Sequence, residues 1–125
     1  MQPEIQQKFN DIDNAINILK KHFNWEISLN RIEELDKLIE TENFWNDSSR
    51  AQSIMREKKQ LEKTIDVLNF IRNEKKNLSE LVDLAEEEND KELIEETILQ
   101  INELVKKCDQ LQLESLLSGE ADSNS

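Results

Sequence analysis

The sequence predicts an all-α fold, a helical bundle of about four helices built on a long antiparallel coiled-coil hairpin. Glycine and proline occur once each in 125 residues, so the chain lacks the many tight turns of a β-sandwich or barrel. Leucine, isoleucine, glutamate, lysine and glutamine are abundant, and all five are compatible with helix. Apolar residues recur at helical spacing along most of the chain, which indicates amphipathic helices.

The first helix is predicted over residues 3–22. Pro3 lies at its start, where the missing N–H is no loss, and Lys20 to His22 lie in its last turn, where positive charge suits the helix dipole. Its apolar positions, spaced by three or four residues, are Ile5, Phe9, Ile12, Ile16, Leu19 and Phe23.

The second helix is predicted over residues 26–41, with Asn24 as a candidate N-cap. Its expected inward positions are Ile27, Ile32, Leu35 and either Leu38 or Ile39. The stretch TENFWNDSSRAQ, residues 41–52, then forms a corner without glycine or proline. We expect Phe44 and Trp45 to stabilise this corner by burying both rings against the flanking helices.

The third helix is predicted over residues 48–87, with Asp47 as its N-cap. At 1.5 Å per residue it is roughly 60 Å long, which is typical of a coiled-coil arm. Lys58 and Lys75 interrupt its apolar stripe, and their aliphatic stems can still lie along the core. The stripe consists of Ala51, Ile54, Leu61, Ile65, Leu68, Ile71, Leu78, Leu81 or Val82, and Ala85.

The fourth helix is predicted over residues 90–117, because Asn89 and Glu92 have the spacing of a capping box. Gly119 is expected to close it in a left-handed conformation. Residues 1–119 would then form one helical domain and residues 120–125 a linker toward an absent following domain. The expected inward positions are Ile94, Ile98, Ile101, Val105, Cys108, Leu111 and Leu116 or Leu117.

Helices three and four are joined by a short loop and should form the antiparallel hairpin. We expect helices one and two to pack near its open end, which leaves the hairpin tip protruding. This tip carries an acidic run from Asp83 to Glu96, with eight acidic residues and a single basic one.

The formal net charge of −12 disfavours broad nucleic-acid binding and favours a basic protein partner. A solvated helix face that keeps the chain soluble is the simpler interpretation of the acidic run. The basic stretch REKKQLEK, from Arg56 to Lys63, is the only candidate for nucleic-acid contact, and a salt-bridged helix face explains it better.

The residue inventory predicts no enzyme, no cofactor and no metal site. His22 and Cys108 are the only residues of their kinds and lie far apart in the sequence, and one glycine cannot make a phosphate loop. Cys108 falls on an apolar stripe, where a free cysteine acts as a small hydrophobe. With one cysteine, no secretory signal and no apolar run of about 18 residues, we expect a cytoplasmic location.

The corner motif FWNDSSRAQ, residues 44–52, resembles the N-terminal domain of the bacterial peptide chain release factor 2 family. RIEELDKLIE before it, LEKTI and LVDLAEEENDKELIEE after it, and LLSGEAD at the end keep the family's order over residues 27–122. The sequence departs from the family pattern at Ser48, where proline is frequent. It also departs at Glu114 and Ser115, where two arginines are common, and at Ala121, where an aromatic residue is usual. These changes could alter contacts with a following domain.

The resemblance implies a class I translation termination factor that releases peptides at UAA and UGA codons. The family's Gly-Gly-Gln loop and Ser-Pro-Phe element are absent, so we expect a fragment that does not release peptide by itself. The family's first domain lies near the ribosomal stalk base by the GTPase-associated region. Glu87, Glu88 and Glu92 are therefore candidate contacts to a stalk-base protein, with little direct nucleic-acid contact.

Two points stay open from the sequence. An exposed coiled-coil stripe makes self-association of the chain plausible. The alternative function is a free-standing acidic coiled-coil adaptor or chaperone, which would share the periodicity and the acidity but would not need the corner motif.

Overall fold

The computed structural model describes residues 1–123, and their side chains as far as Leu117. Within these residues the chain is all-α, as the sequence predicted, with no strand. The elements are α1 (Pro3–His22), α2 (Trp25–Ile39), a short 3₁₀ turn (Phe44–Asn46), α3 (Ser48–Glu87) and α4 (Lys91–Ser123). None of the described helices is both long and apolar enough to cross a membrane.

Helices α1 and α2 run in the same direction, one after the other, and both lie antiparallel to α3. Two ion pairs show this register: Lys75 Nζ lies 2.6 Å from Asp13 of α1, and Lys58 Nζ lies 2.6 Å from Asp36 of α2. The two lysines that interrupt the α3 stripe therefore pair with acidic residues of the helices packed against it. Helix α4 returns along α3 to complete the hairpin.

The larger core lies between α1, α3 and α4. It confirms the predicted stripes of α1 and α3 through Ile5, Phe9, Ile12, Ile71, Leu78 and Val82, and that of α4 through Ile101 and Cys108, all buried. Leu104 is also buried there, although the predicted α4 stripe used Val105, which is only partly buried. Ile101, Leu104, Cys108 and Leu111 follow a three-four spacing, which is the spacing of a coiled-coil seam.

The prediction that α1 packs near the open end and leaves the hairpin tip protruding is wrong. The α-amino group of Met1 lies 3.0 Å from Glu86 at the end of α3, so α1 begins beside the α3–α4 turn. The physical reason is burial: the stripe of α1 needs an apolar groove, and Leu78, Val82 and Ile101 provide one close to the turn.

A second, smaller core lies at the other end of α3 and joins α2, the 3₁₀ turn and α3. Its buried members are Leu35, Phe44, Ala51 and Ile54. Trp45 is not among them: 65% of it is exposed, against 2% of Phe44, so the predicted burial of Trp45 is wrong. Successive residues of a 3₁₀ turn are about 120° apart, so only one of two adjacent rings can face this core.

Asparagine occupies the left-handed region at all three helix junctions of the described chain. Asn24, Asn43 and Asn89 have φ angles of 51°, 68° and 55°, and they are the non-glycine residues with positive φ. Asparagine tolerates this conformation better than other residues with a Cβ atom. Asn24 therefore separates α1 from α2 through its backbone, and its side chain does not form the predicted N-cap hydrogen bond.

Helix α2 buries Leu35 against the smaller core as predicted, with Leu38 and Ile39 partly buried beside it, but the prediction that Ile27 faces inward is wrong. Ile27 is 68% exposed, whereas Ser28 is buried and its hydroxyl donates to the Phe23 carbonyl at 2.9 Å. The left-handed residue at the junction resets the helical phase, so the α1 spacing does not continue into α2. The inward position next to the junction is then filled by a small side chain with a satisfied hydroxyl.

Helix α4 continues to Ser123, beyond the predicted end at residue 117, so Gly119 does not close it. A glycine within a helix costs only about 1 kcal/mol relative to alanine, and Glu120 and Ala121 favour helix. Leu116 and Leu117 are exposed rather than inward, because the seam reaches the buried Ser115 instead.

Candidate functional site

The α3–α4 turn, which carries the candidate contact residues, has a defined backbone geometry. The Asp90 N–H donates to the Ala85 carbonyl at 2.9 Å, and the Asn89 N–H donates to the Glu86 carbonyl at 3.2 Å. With Asn89 left-handed, this pair of hydrogen bonds is a Schellman motif, which satisfies the last carbonyls of α3.

Asp90, not Asn89, caps α4. Its carboxylate accepts the backbone N–H of Leu93 at 3.0 Å, so the capping box predicted for Asn89 and Glu92 is wrong. Asn89 is held in the left-handed region as the closing residue of α3, which is not the extended geometry of an N-cap. The sequence had a signal for the correct cap, because aspartate is as good an N-cap as asparagine.

The three predicted contact residues lie together around this turn and are all exposed. Glu87 is the last residue of α3, Glu88 is its C-cap, and Glu92 is in the first turn of α4. Among the described residues none of the three has an ion-pair partner within 4 Å. The carboxylates of Glu87 and Glu88 also lie at the negative end of the α3 dipole, which disfavours them. Packing and capping therefore do not explain why these two residues are acidic.

Glu86, the neighbour of these residues, is engaged within the fold. Its Oε2 atom pairs with the Met1 amine, and its Oε1 atom is buried without a hydrogen-bond partner in the described structure. This contact could not be predicted from the sequence, because it depends on where α1 packs. The turn thus has one carboxylate facing inward, and Glu87, Glu88 and Glu92 facing solvent.

The described residues offer no arrangement suited to catalysis. Cys108 is buried, and desolvation raises the pKa of its thiol to about 11, so it is not a ready nucleophile. His22 ends α1, with its ring edge-on to Phe23 at 5.1 Å between centroids. The described side chains include no cluster of three or more His, Cys, Asp or Glu residues placed to hold a metal ion.

The salt-bridged interpretation of the basic stretch from Arg56 to Lys63 holds in part. Lys58 pairs with Asp36 and Glu62, and the acidic Glu57 pairs with Arg31 of α2. Arg31 of α2 donates through Nε to Glu57 at 2.7 Å and through a second nitrogen at 3.0 Å. These hydrogen bonds lower the pKa of Glu57. Together with one that Arg31 donates to Glu34, they raise the pKa of Arg31. The hydrogen bond to Asp36 likewise raises the pKa of Lys58.

The corner between α2 and α3 is well ordered by local contacts. The Phe44 and Trp45 rings meet edge to face, with centroids 4.8 Å apart. Asp47 accepts the Arg50 backbone N–H at 3.1 Å, which confirms Asp47 as the N-cap of α3. The Arg50 side chain is exposed, and nothing in the described structure explains it.

Comparison with known families supports the resemblance noted from the corner motif. The sequence matches the PCRF domain family over residues 28–125, which is most of the chain. The matched region contains most of α2, the corner, α3, α4 and the α3–α4 turn with Glu87, Glu88 and Glu92, which we call the acidic turn.

Individual relatives extend the match to α1. Peptide chain release factor 2 of Paramagnetospirillum magneticum is 38% identical over 124 residues, and that of Ruegeria sp. is 35% identical over 124 residues. The protein of the same name from Rickettsia bellii is 34% identical over 124 residues. Each alignment covers 99% of this chain, which spans only about a third of the relatives' length, 33%, 33% and 34% in turn.

Proposed function

The chain belongs to the PCRF domain family, and on that premise we propose that it is the N-terminal helical domain of a class I translation termination factor. The observation that carries this proposal is the match over residues 28–125, together with identities of 34–38% to peptide chain release factor 2 across nearly the whole chain. On this proposal the complete factor acts at UAA and UGA codons in the cytoplasm.

The proposed role of the chain itself is binding and positioning, not hydrolysis. The sequence contains neither the Gly-Gly-Gln loop nor the Ser-Pro-Phe element that the family resemblance assigns to peptide release and codon reading. A buried cysteine and a single histidine offer no substitute catalytic pair. Added alone to ribosomes stalled at a stop codon, the chain should therefore release no peptide.

The proposed contact is between the acidic turn and a basic protein at the ribosomal stalk base. Glu87, Glu88 and Glu92 are exposed, lie within six consecutive residues around the α3–α4 turn, and belong to a chain of net charge −12. Such a surface attracts basic protein and is repelled by ribosomal RNA phosphates. The unfavourable position of Glu87 and Glu88 in the α3 dipole further supports a role outside folding.

The test is a charge reversal of the turn. The Glu87→Lys, Glu88→Lys, Glu92→Lys variant should bind ribosomes at least about tenfold more weakly than the unmodified chain, with a reduced dependence on salt. The matched control reverses Glu26, Glu33 and Glu40, three exposed carboxylates of α2 and its C-cap, and should bind within about twofold of the unmodified chain. Pelleting with purified ribosomes measures both variants.

Two results would count against this assignment. Equal loss of binding in both variants would mean that net charge acts without a defined site. Failure of the unmodified chain to bind ribosomes at all would remove the ribosomal role and favour the free-standing adaptor or chaperone.

A further inference from the structure

The α3–α4 hairpin has an open groove that is separate from the acidic turn. A cavity of about 690 Å³ lies between the two helices, and all its lining residues come from α3 and α4. Its apolar lining comes from Phe70, Leu104 and Leu111. Since α1 packs against the same two helices elsewhere, this groove is left uncovered by the described part of the chain.

Phe70 is the central feature of this groove. It is 50% exposed, although its neighbour Ile71 is fully buried in the larger core. The Lys107 ammonium lies 4.7 Å from the centroid of the Phe70 ring, an arrangement that covers one ring face without burying it.

The dimensions of the groove fit a helix. On α4 its lining runs from Gln100 to Glu114, which at 1.5 Å per residue is about 21 Å, or about four helical turns. Grooves between packed helices commonly accept the apolar face of an amphipathic helix. Leu117, one turn beyond Glu114 on the same side of α4, is exposed and prolongs the apolar surface.

The charges along the groove are unevenly distributed. Glu74 and Glu103 border the end nearer the acidic turn, whereas Lys106 and Lys107 lie beside Phe70. The far end of the groove contains Glu114 and adjoins a second pocket lined by both lysines and acidic residues, so the charge at that end has no single sign. The electrostatically complementary occupant is therefore basic at its end toward the acidic turn and apolar over Phe70.

A second copy of the chain fits these charges less well. Each copy carries a net charge of −12, so two copies repel one another.

We propose that the open α3–α4 groove binds an amphipathic α-helix of a partner protein, about four turns long, whose basic end lies toward the acidic turn.

The test uses two labelled synthetic helices of about 16 residues with the same apolar face. One carries arginines in a single terminal turn, and the other carries glutamates at those positions. Fluorescence anisotropy with the full chain should show the arginine helix binding at least about tenfold more tightly than the glutamate helix.

Substitutions in the chain locate the binding surface. Phe70→Ser should weaken binding of the arginine helix by about tenfold or more, since aromatic anchors dominate such interfaces. Trp45→Ser is the matched control, an exposed aromatic residue outside the groove, and should change binding by less than about twofold. Glu103→Lys leaves the apolar lining intact and should reverse the preference between the two helices.

Several outcomes would overturn the proposal. These are no binding of the arginine helix at about 1 mM, binding unchanged by both Phe70→Ser and Glu103→Lys, or equal binding of the two helices. A concentration-dependent dimer in sedimentation velocity that Phe70→Ser abolishes would assign the groove to a second copy instead. If reversing the charges of Glu87, Glu88 and Glu92 abolished binding of the arginine helix and Phe70→Ser did not, the binding site would be the acidic turn instead of the groove.

Discussion

At the residue scale, the corner shows how adjacent side chains of similar chemistry reach opposite environments. Phe44 is buried in the smaller core and Trp45 extends into solvent, although the two rings touch edge to face. The local 3₁₀ geometry, not hydrophobicity, decides which ring is buried, because tryptophan has at least as much apolar surface as phenylalanine.

Truncation of the two rings should have unequal effects on stability. Phe44→Ala should lower the free energy of unfolding by about 3–5 kcal/mol, as expected for a fully buried aromatic residue. Trp45→Ala should change it by less than about 0.5 kcal/mol, as expected for an exposed side chain. Urea denaturation followed by circular dichroism measures both, and a comparable loss in the two variants would contradict the assigned burial.

The left-handed asparagine of the α3–α4 turn gives a second prediction. Asn89→Ala should lower the free energy of unfolding by about 1 kcal/mol, because alanine is strained at positive φ, whereas Asn89→Gly should be neutral or stabilising. The control is Asn73→Ala, at an exposed position within α3, which should stabilise slightly because alanine is the better helix former. If Asn89→Ala proves as stable as the unmodified chain, the left-handed closure is wrong.

Cys108 gives a pH-dependent prediction. Burial raises the pKa of its thiol from 9.0 to about 11, so folding favours the neutral form. The resulting stabilisation is complete below the unfolded pKa and is lost as the pH rises through the folded pKa. The stability difference between the unmodified chain and Cys108→Ala should therefore shrink between about pH 8 and pH 11. Denaturant melts at several pH values measure it, and a constant difference would mean that the thiol titrates normally.

At the element scale, α1 is an integral part of the bundle near the acidic turn. Ile5, Phe9 and Ile12 are buried against α3 and α4, and polar contacts reinforce the register. Lys75 pairs with Asp13, and Lys8 donates to Asn102 of α4. Lys75 and Lys58, which interrupt the apolar stripe of α3, therefore each lie opposite an aspartate of the helix packed against it.

The packing of α1 can be tested by comparing its two faces. Phe9→Ala should cost about 3–5 kcal/mol of unfolding free energy, because the ring is buried in the larger core. Ile18→Ala, at an exposed position of the same helix, should cost less than about 0.5 kcal/mol. Thermal and chemical melts provide the comparison; a neutral Phe9→Ala would restore the model of a hairpin with a bare tip.

At the scale of the whole molecule, one long helix, α3, connects the two cores. The larger core lies toward the acidic turn and the smaller one at the corner, so each end of α3 is fixed by different partners. Ion pairs such as Arg31 with Glu57 contribute little individually because they are largely solvent-exposed. The surplus of twelve negative charges acts against this compact state through self-repulsion.

The self-repulsion predicts a response to salt. Raising NaCl from about 10 mM to about 150 mM shortens the Debye length from about 30 Å to about 8 Å, and should raise the melting temperature. The expected increase comes from screening among carboxylates rather than from any bound ion. Thermal melts by circular dichroism measure it, with a potassium salt as the control for specific sodium binding. A melting temperature that falls with salt would show that the ion pairs outweigh the repulsion.

The position and exposure of the candidate contact residues could be predicted from the sequence. The exposed state of Glu87, Glu88 and Glu92 follows from their places outside the apolar stripes. The hydrogen bonding of the α3–α4 turn could not be predicted, because asparagine and aspartate are both good N-cap residues. The left-handed backbone of Asn89 decided that Asp90 is the N-cap of α4. The open groove at Phe70 was also out of reach, since which hairpin face α1 covers is not encoded in the periodicity of any single helix.

Local sequence was enough to predict the all-α class, the buried stripes of α1 and α3, the Asp47 cap and the family resemblance. These depend on spacing and residue type within one segment, which are local properties. The packing of the helices was needed to show that α1 reaches the acidic turn, that Trp45 is exposed, that Ile27 faces solvent and that the Phe70 groove stays open. Each of these depends on which surfaces of separate helices meet, and that is a non-local choice made by burial across the whole chain.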